Sequence, residues 1–153
     1  HTFEVTVIGE GSWLSQAINL CEMIGIENIV KFKGAIFDSN EIRKNYIEAD
    51  LYVLPTYHEG FPRTLYEAMI FGTPILTTFV GGIPGLMINK YNCLKIEPQS
   101  VSSITDTIDY ALNNYLEMKK YAKNAISTVK PIIASSRDSH AQHLSSLVNN
   151  LFL

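Results

Sequence analysis

Short β-branched runs alternate with amphipathic stretches along most of the chain. Phe3–Ile8 alternates apolar and polar residues and stops at Gly9-Glu10-Gly11-Ser12, which predicts a strand, a glycine turn and a helix start. From Trp13 to Ile24 the apolar positions Leu14, Ala17, Ile18 and Cys21 recur at helical spacing, and Gly25 predicts the C-terminal cap. Ile29–Phe32 predicts a second strand closed by Gly34, and Asp38 or Ser39 caps a helix through Ile42, Tyr46 and Ile47. A third strand at Leu51–Leu54 ends at Pro55; a helix from Arg63 to Phe71 and a strand at Pro74–Thr78 follow. Beyond Gly81-Gly82-Ile83-Pro84 the pattern predicts a short helix at Leu86-Met87-Ile88, a turn at Lys90-Tyr91-Asn92 and a last strand at Cys93–Ile96. From Ser100 onward the period is helical, broken near Pro131, with a final amphipathic helix from Arg137 to Phe152. Strands alternating with helices predict an α/β fold with a Rossmann-like parallel sheet flanked by helices.

In such a sheet, ligands bind at the loops leaving the carboxyl ends of strands. The segment from Tyr52 to Pro84 puts two carboxylates there: Glu59 in a turn beside Gly60 and Pro62, and Glu67 on the helix that follows. A carboxylate only accepts hydrogen bonds and can take both hydroxyls of a diol, so the pair suits the hydroxyls of a sugar nucleotide. The structural alternatives are an exposed first-turn glutamate held by the helix dipole for Glu67, and plain turn chemistry for Glu59.

Composition narrows the class. A chain of 153 residues is long enough for one domain burying roughly 70% of its unfolded surface, and residues 1–153 read as a single domain. The net charge of −3, with no basic run, excludes a nucleic-acid partner. Cys21 and Cys93 lack a close partner or metal-ligand spacing and read as reduced thiols, which places the protein in the cytoplasm. No apolar run is long enough to span a bilayer. His140 and His143 share a face of the final helix without an acidic or cysteine partner, so no metal site is assigned. His1 enters a strand almost at once, so the chain reads as a piece of a longer protein.

The ordered motifs resemble the C-terminal, donor-binding domain of a family 4 glycosyltransferase of the GT-B fold. The Val-x-Gly-x-Gly turn of that family corresponds to Val7 through Gly11, and its Phe-x-Gly turn to Phe32-Lys33-Gly34. Its Ala-Asp strand start corresponds to Ala49-Asp50, and its Glu-Gly-Phe-Pro to Glu-Ala-Met block lies within Pro55 to Pro74, before Gly81-Gly82. The resemblance implies transfer of a glycosyl unit, with retention, from a nucleotide-diphosphate sugar of UDP or GDP type, with no metal and no other cofactor. It implies that Glu67 accepts hydrogen bonds from the ribose, and that Glu59 lies beside the transferred sugar in a catalytic role. Gly60, Phe61, Pro62, Arg63, Thr64 and Leu65 would face the sugar and diphosphate, and Gly9, Gly11 and Ala35 the base. A surface arginine is the structural alternative for Arg63, a core side chain for Leu65, and an ordinary turn for Gly9 and Gly11.

The resemblance also implies partners outside residues 1–153. A saccharide or lipid-linked acceptor would bind an N-terminal domain, and the full-length enzyme is compatible with peripheral membrane association in polysaccharide assembly. The family's opening strand and its Arg-x4-Lys-Gly turn would precede residue 1; that strand would lie between the strands at Val5 and Tyr52. The fragment alone is therefore expected to bind nucleotide weakly and to turn over nothing. Gly85 stands where the family often has glutamate, and no aromatic precedes the final helix between Pro131 and Ser136. A non-catalytic binding module, or another GT-B enzyme such as a sugar-nucleotide epimerase, is the alternative function.

Overall fold

The computed structural model of the chain describes residues 2–60 and 62–135. Its elements run β1 (Val5–Val7), α1 (Leu14–Met23), β2 (Val30–Phe32), α2 (Ser39–Glu48), β3 (Tyr52–Leu54) and α3 (Arg63–Phe71). There follow β4 (Ile75–Thr78), a 3-10 turn (Ile83–Gly85), β5 (Leu94–Ile96), α4 (Val101–Asn113) and α5 (Tyr115–Ser135). Among the described residues the ladders are parallel, with Val5 opposite Val30, Tyr52 opposite Ile75 and Leu76 opposite Leu94. Parallel neighbours need crossover connections: α1 supplies that of β1 to β2, α3 that of β3 to β4, and the segment with the 3-10 turn that of β4 to β5. The strands form two sheets, β1-β2 and β3-β4-β5, and the chain divides into two units between Lys44 and Asn45.

In the first unit, the Asp38 carboxylate accepts from the backbone N–H of Asn40 at 2.7 Å and of Glu41 at 3.3 Å, capping α2 as its sequence predicts. Gly25 takes a left-handed φ of 72° just past α1. None of the described residues up to Lys44 is buried, and Val5 and Val7 are exposed.

The second unit holds the core. Adjacent residues of a strand face opposite sides, so Ile75 and Leu76 of β4 enter two different apolar layers. Ile75 packs with Leu65 and Met69 of α3, Ile83, and Ala125 and Val129 of α5. Leu76 packs with Leu94 and Ile96 of β5, Ala111 of α4, and Met118 and Tyr121 of α5. Thr77 and Thr78 complete β4 and are buried as well, so the strand is covered on both faces and shows no alternation of buried and exposed positions. The Ser100 hydroxyl accepts from the Ser103 N–H at 3.1 Å and starts α4.

Two local expectations are corrected. The helix does not break near Pro131; α5 continues through it to Ser135. Val129 and Ile133, on either side of the proline, are both buried in the same core, and Pro131 itself faces outward. Burial of that stripe outweighs the N–H that proline cannot donate. The turn after Gly-Gly is a 3-10 turn at Ile83–Gly85 instead of a helix at Leu86–Ile88, because Pro84 is pre-set for a first helical turn and Ile83 anchors it in the core. The final helix expected from Arg137 to Phe152 lies outside the described residues.

Burial alone pushes the Cys93 thiol up to about 12, whereas Cys21 is half-exposed. A thiol reagent at neutral pH should therefore label one cysteine, Cys21, in the native protein and both after denaturation. Rapid native labelling of Cys93, read by peptide mass, would contradict this packing.

Candidate functional site

The loop leaving β3 is fastened to β4 by two buried threonines. Thr77 donates through its hydroxyl to the Leu54 carbonyl at 3.2 Å, and Thr78 to the Thr56 carbonyl at 2.7 Å. The Thr56 hydroxyl, in turn, lies 3.4 Å from the His58 carbonyl and 3.5 Å from Oε1 of the half-buried Glu59. On its other side the loop meets the Gly-Gly turn. The Gly82 N–H donates to the Gly60 carbonyl at 2.6 Å, and Gly81 has a φ of 55°. A Cβ on Gly81 would stand 1.6 Å from the Glu59 carbonyl oxygen. The Gly-Gly turn is thus the wall against which the Glu59 backbone is set.

Helix α3 starts directly after this loop. Pro62 is its extended N-terminal flank, no side chain caps it, and its first turn carries no acidic residue. Arg63 and Thr64 are exposed at its start, whereas Leu65 is fully buried and its N–H donates to the Pro62 carbonyl at 3.0 Å. Glu67 lies beyond the first turn and is half-buried, which removes the exposed, dipole-held alternative. Its Oε2 accepts from the Tyr46 hydroxyl at 3.1 Å, and the same hydroxyl lies 3.3 Å from the Thr64 carbonyl. Burial, opposed by a hydrogen bond with Thr64 and reinforced by the charges of Glu67 and Glu59, pushes the Tyr52 phenol up to about 12. Two carboxylates and two half-buried phenols therefore share the region where β3 delivers the chain into α3.

In the first unit, the turns after β1 and β2 are joined. The Gly9 N–H donates to the Gly34 carbonyl at 2.8 Å, and the Gly11 carbonyl accepts from the Leu14 N–H at 3.1 Å, starting α1. Ala35 is half-buried beside Gly34. Gly9, Gly11 and Ala35 therefore gather at the carboxyl end of the first sheet, as Glu59, Gly60, Pro62, Arg63, Thr64 and Glu67 do at the second. Phe61, His140 and His143 lie outside the described residues, and His58 is exposed in its turn.

Tyr46 is the site residue that sequence reasoning missed: its spacing marks it only as an apolar-face position of α2. Its signal was a phenol on that face, which must find a partner when buried. A groove of about 280 Å³ opens elsewhere in the second unit, lined by Phe71, Gly72, Tyr115, Lys119 and Ile126, with the Tyr46 ring in its wall. Neither Glu59 nor Glu67 lines it, so volume alone points away from the carboxylates. Among the described residues, no group of three or more His, Cys, Asp or Glu side chains is arranged to hold a metal, and no helix is long and apolar enough to cross a membrane.

A sequence profile described as glycosyl transferases group 1 matches residues 1–128, which span both glutamates and all five strands. The chain belongs to the glycosyl transferases group 1 family. The uncharacterized glycosyltransferase MJ1607 of Methanocaldococcus jannaschii is 28% identical over 115 residues, covering 75% of this chain and 29% of that one. This group 1 chain therefore spans less than a third of the length of that curated relative. Among solved structures, the C-terminal domain of LpcC, a group 1 protein from Francisella tularensis, is 27% identical with a TM-score of 0.75, covering 84% of this chain and 68% of that one. HepE of Anabaena, solved with UDP-glucose, has a TM-score of 0.76 at 22% identity, over 97% of this chain and 40% of that one. These likenesses give the group 1 chain the α/β architecture of GT-B glycosyltransferases, parallel sheets flanked by helices.

Proposed function

We propose that this group 1 domain is the C-terminal, donor-binding part of a retaining glycosyltransferase of family 4 that uses a nucleotide-diphosphate sugar. The half-buried Glu67 carboxylate, held beside the uncapped start of α3, carries this reading. Glu67 accepts from the ribose hydroxyls. Glu59 lies against the transferred sugar, and its loop takes its position from the threonines of β4 and from the Gly-Gly turn.

In the reaction the anomeric carbon–oxygen bond breaks and its electron pair leaves on the diphosphate. The acceptor hydroxyl oxygen bonds to the same face of that carbon and gives up its proton. The N-terminal end of α3, through its backbone N–H groups and dipole, stabilises the charge growing on the leaving diphosphate, in a metal-independent reaction. HepE was solved with UDP-glucose, and a UDP- or GDP-type donor is proposed here by likeness of fold and motif. The acceptor, a saccharide or lipid-linked glycan, binds a further domain of the whole enzyme, on the cytoplasmic side. The isolated chain is expected to turn over nothing.

Calorimetric titration of UDP, GDP and ADP into the full-length protein tests the assignment. Removing a charge-assisted pair to a diol should cost Glu67→Gln roughly tenfold to a hundredfold in affinity for the preferred nucleotide. Unchanged affinity would remove the ribose role.

A further inference from the structure

We infer that Tyr46 is a positioning residue for the Glu67 carboxylate: its phenol sets the direction in which that carboxylate faces the ribose. The inference rests on the ribose reading of Glu67 and extends it to a residue outside the ordered motifs.

Tyr46 lies near the end of α2, 21 residues before Glu67 in sequence. Its backbone and ring are held independently of its hydroxyl. The Tyr46 carbonyl accepts from the Thr73 hydroxyl at 2.7 Å, its ring stacks on Phe71 with centroids 5.6 Å apart, and Tyr52 leans on it at 5.6 Å and 54°. The hydroxyl therefore arrives at a fixed point. It has one proton and two acceptors in reach, Glu67 Oε2 at 3.1 Å and the Thr64 carbonyl at 3.3 Å. The charged acceptor is nearer and makes the stronger bond.

A glutamate side chain turns about several bonds, and its freedom must be lost when a diol binds. A donor already bonded to one carboxylate oxygen removes much of that freedom beforehand. Burial first, and then the neighbouring Tyr52 and Glu67, hold the Tyr46 phenol far above its ordinary range, so it remains a donor across neutral and alkaline pH. The Thr64 contact ties the same hydroxyl to the first turn of α3, so carboxylate and helix start are registered by one group.

Tyr46→Phe removes the hydroxyl and keeps the stacked ring. In the full-length protein, titrations with UDP and GDP, and with their 2′,3′-dideoxy counterparts, read the effect. For the ribonucleotide that the wild type prefers, Tyr46→Phe should bind roughly five- to tenfold more weakly. For its dideoxy counterpart the variant and wild type should bind alike, with little change in melting temperature. Equal affinities for the ribonucleotide, or an equal loss for both ligands, would overturn the inference and leave Tyr46 a packing residue. Glu67→Gln separates the two levels. If it too keeps full ribonucleotide affinity, or if the wild type binds neither nucleotide, the ribose reading itself fails. If Glu67→Gln loses the ribose contribution while Tyr46→Phe keeps it, only the positioning role fails.

Discussion

Gly81→Ala should all but abolish glycosyl transfer by the full-length protein while leaving the fold in place. The added methyl carbon would sit 1.6 Å from the Glu59 carbonyl oxygen and 2.8 Å from its carbon, so backbone meets backbone and no rotamer relieves the overlap. The φ of 55° at Gly81 adds a second penalty, about 1–2 kcal/mol for a residue with a Cβ. The only escape is to part the Gly-Gly turn from the loop after β3. That breaks the 2.6 Å bond from Gly82 to Gly60 and moves Glu59. With Glu59 in the sugar-facing role proposed for it, a displacement of about 1 Å should cost roughly a hundredfold in rate. Gly85→Ala is the control: nothing lies within 4 Å of its added carbon and its φ is ordinary, so transfer should stay at the wild-type rate. Wild-type turnover by Gly81→Ala would show that the position of the Glu59 loop does not matter to the reaction.

Asn92→Leu should lower stability by roughly 3–5 kcal/mol. Asn92 is 1% exposed, and its carboxamide is fully engaged. Its oxygen accepts from the Ile88 N–H at 2.7 Å, and its nitrogen donates to the Leu86 carbonyl at 3.0 Å and lies 3.5 Å from the Thr128 hydroxyl on α5. Leucine matches the volume and leaves the Ile88 N–H and the Leu86 carbonyl without that partner, at about 1–3 kcal/mol each. Against a total of about 5–15 kcal/mol, such a loss is severe. Urea unfolding of the full-length protein should show a sharply lower midpoint for this unit. Thr128→Ala, which gives up the longest of the three contacts together with a hydroxyl bond to the Asn124 carbonyl within α5, should cost about 1 kcal/mol. Similar midpoints for both variants would mean that the carboxamide is not what holds the turn.

Much of the fold is legible because its local signals agree with its tertiary packing. Helix α3 is predicted from Arg63 to Phe71 and observed there, since Pro62 forms its extended N-terminal flank and Gly72 supplies the left-handed cap. The β-branched and apolar residues after Pro74 read as a strand, and the two core layers cover both faces of it. Pro131 is where the local signal misleads, because a proline inside a pattern predicts a break, whereas the buried stripe through Val129 and Ile133 is a property of the assembled core. The 3-10 turn at Ile83–Gly85 is a smaller case of the same kind, decided by the anchor that Ile83 finds in the core.

The site divides along the same line. Glu59, Gly60 and Glu67 can be picked out from spacing, because turn residues between a strand and a helix are encoded within a few positions of one another. That Gly81 bears on Glu59, and that Tyr46 holds Glu67, cannot be read from spacing. Those pairs are 22 and 21 residues apart in the chain, and they meet only once β3 and β4 lie side by side and α2 closes on α3. Periodicity, caps and motif order carry the α/β class, the family and the identity of the carboxylates, since each depends on residues that are neighbours in sequence. The setting of those carboxylates depends on contacts across the sheet and between helices. Distance in space, and not in sequence, decides which way they face.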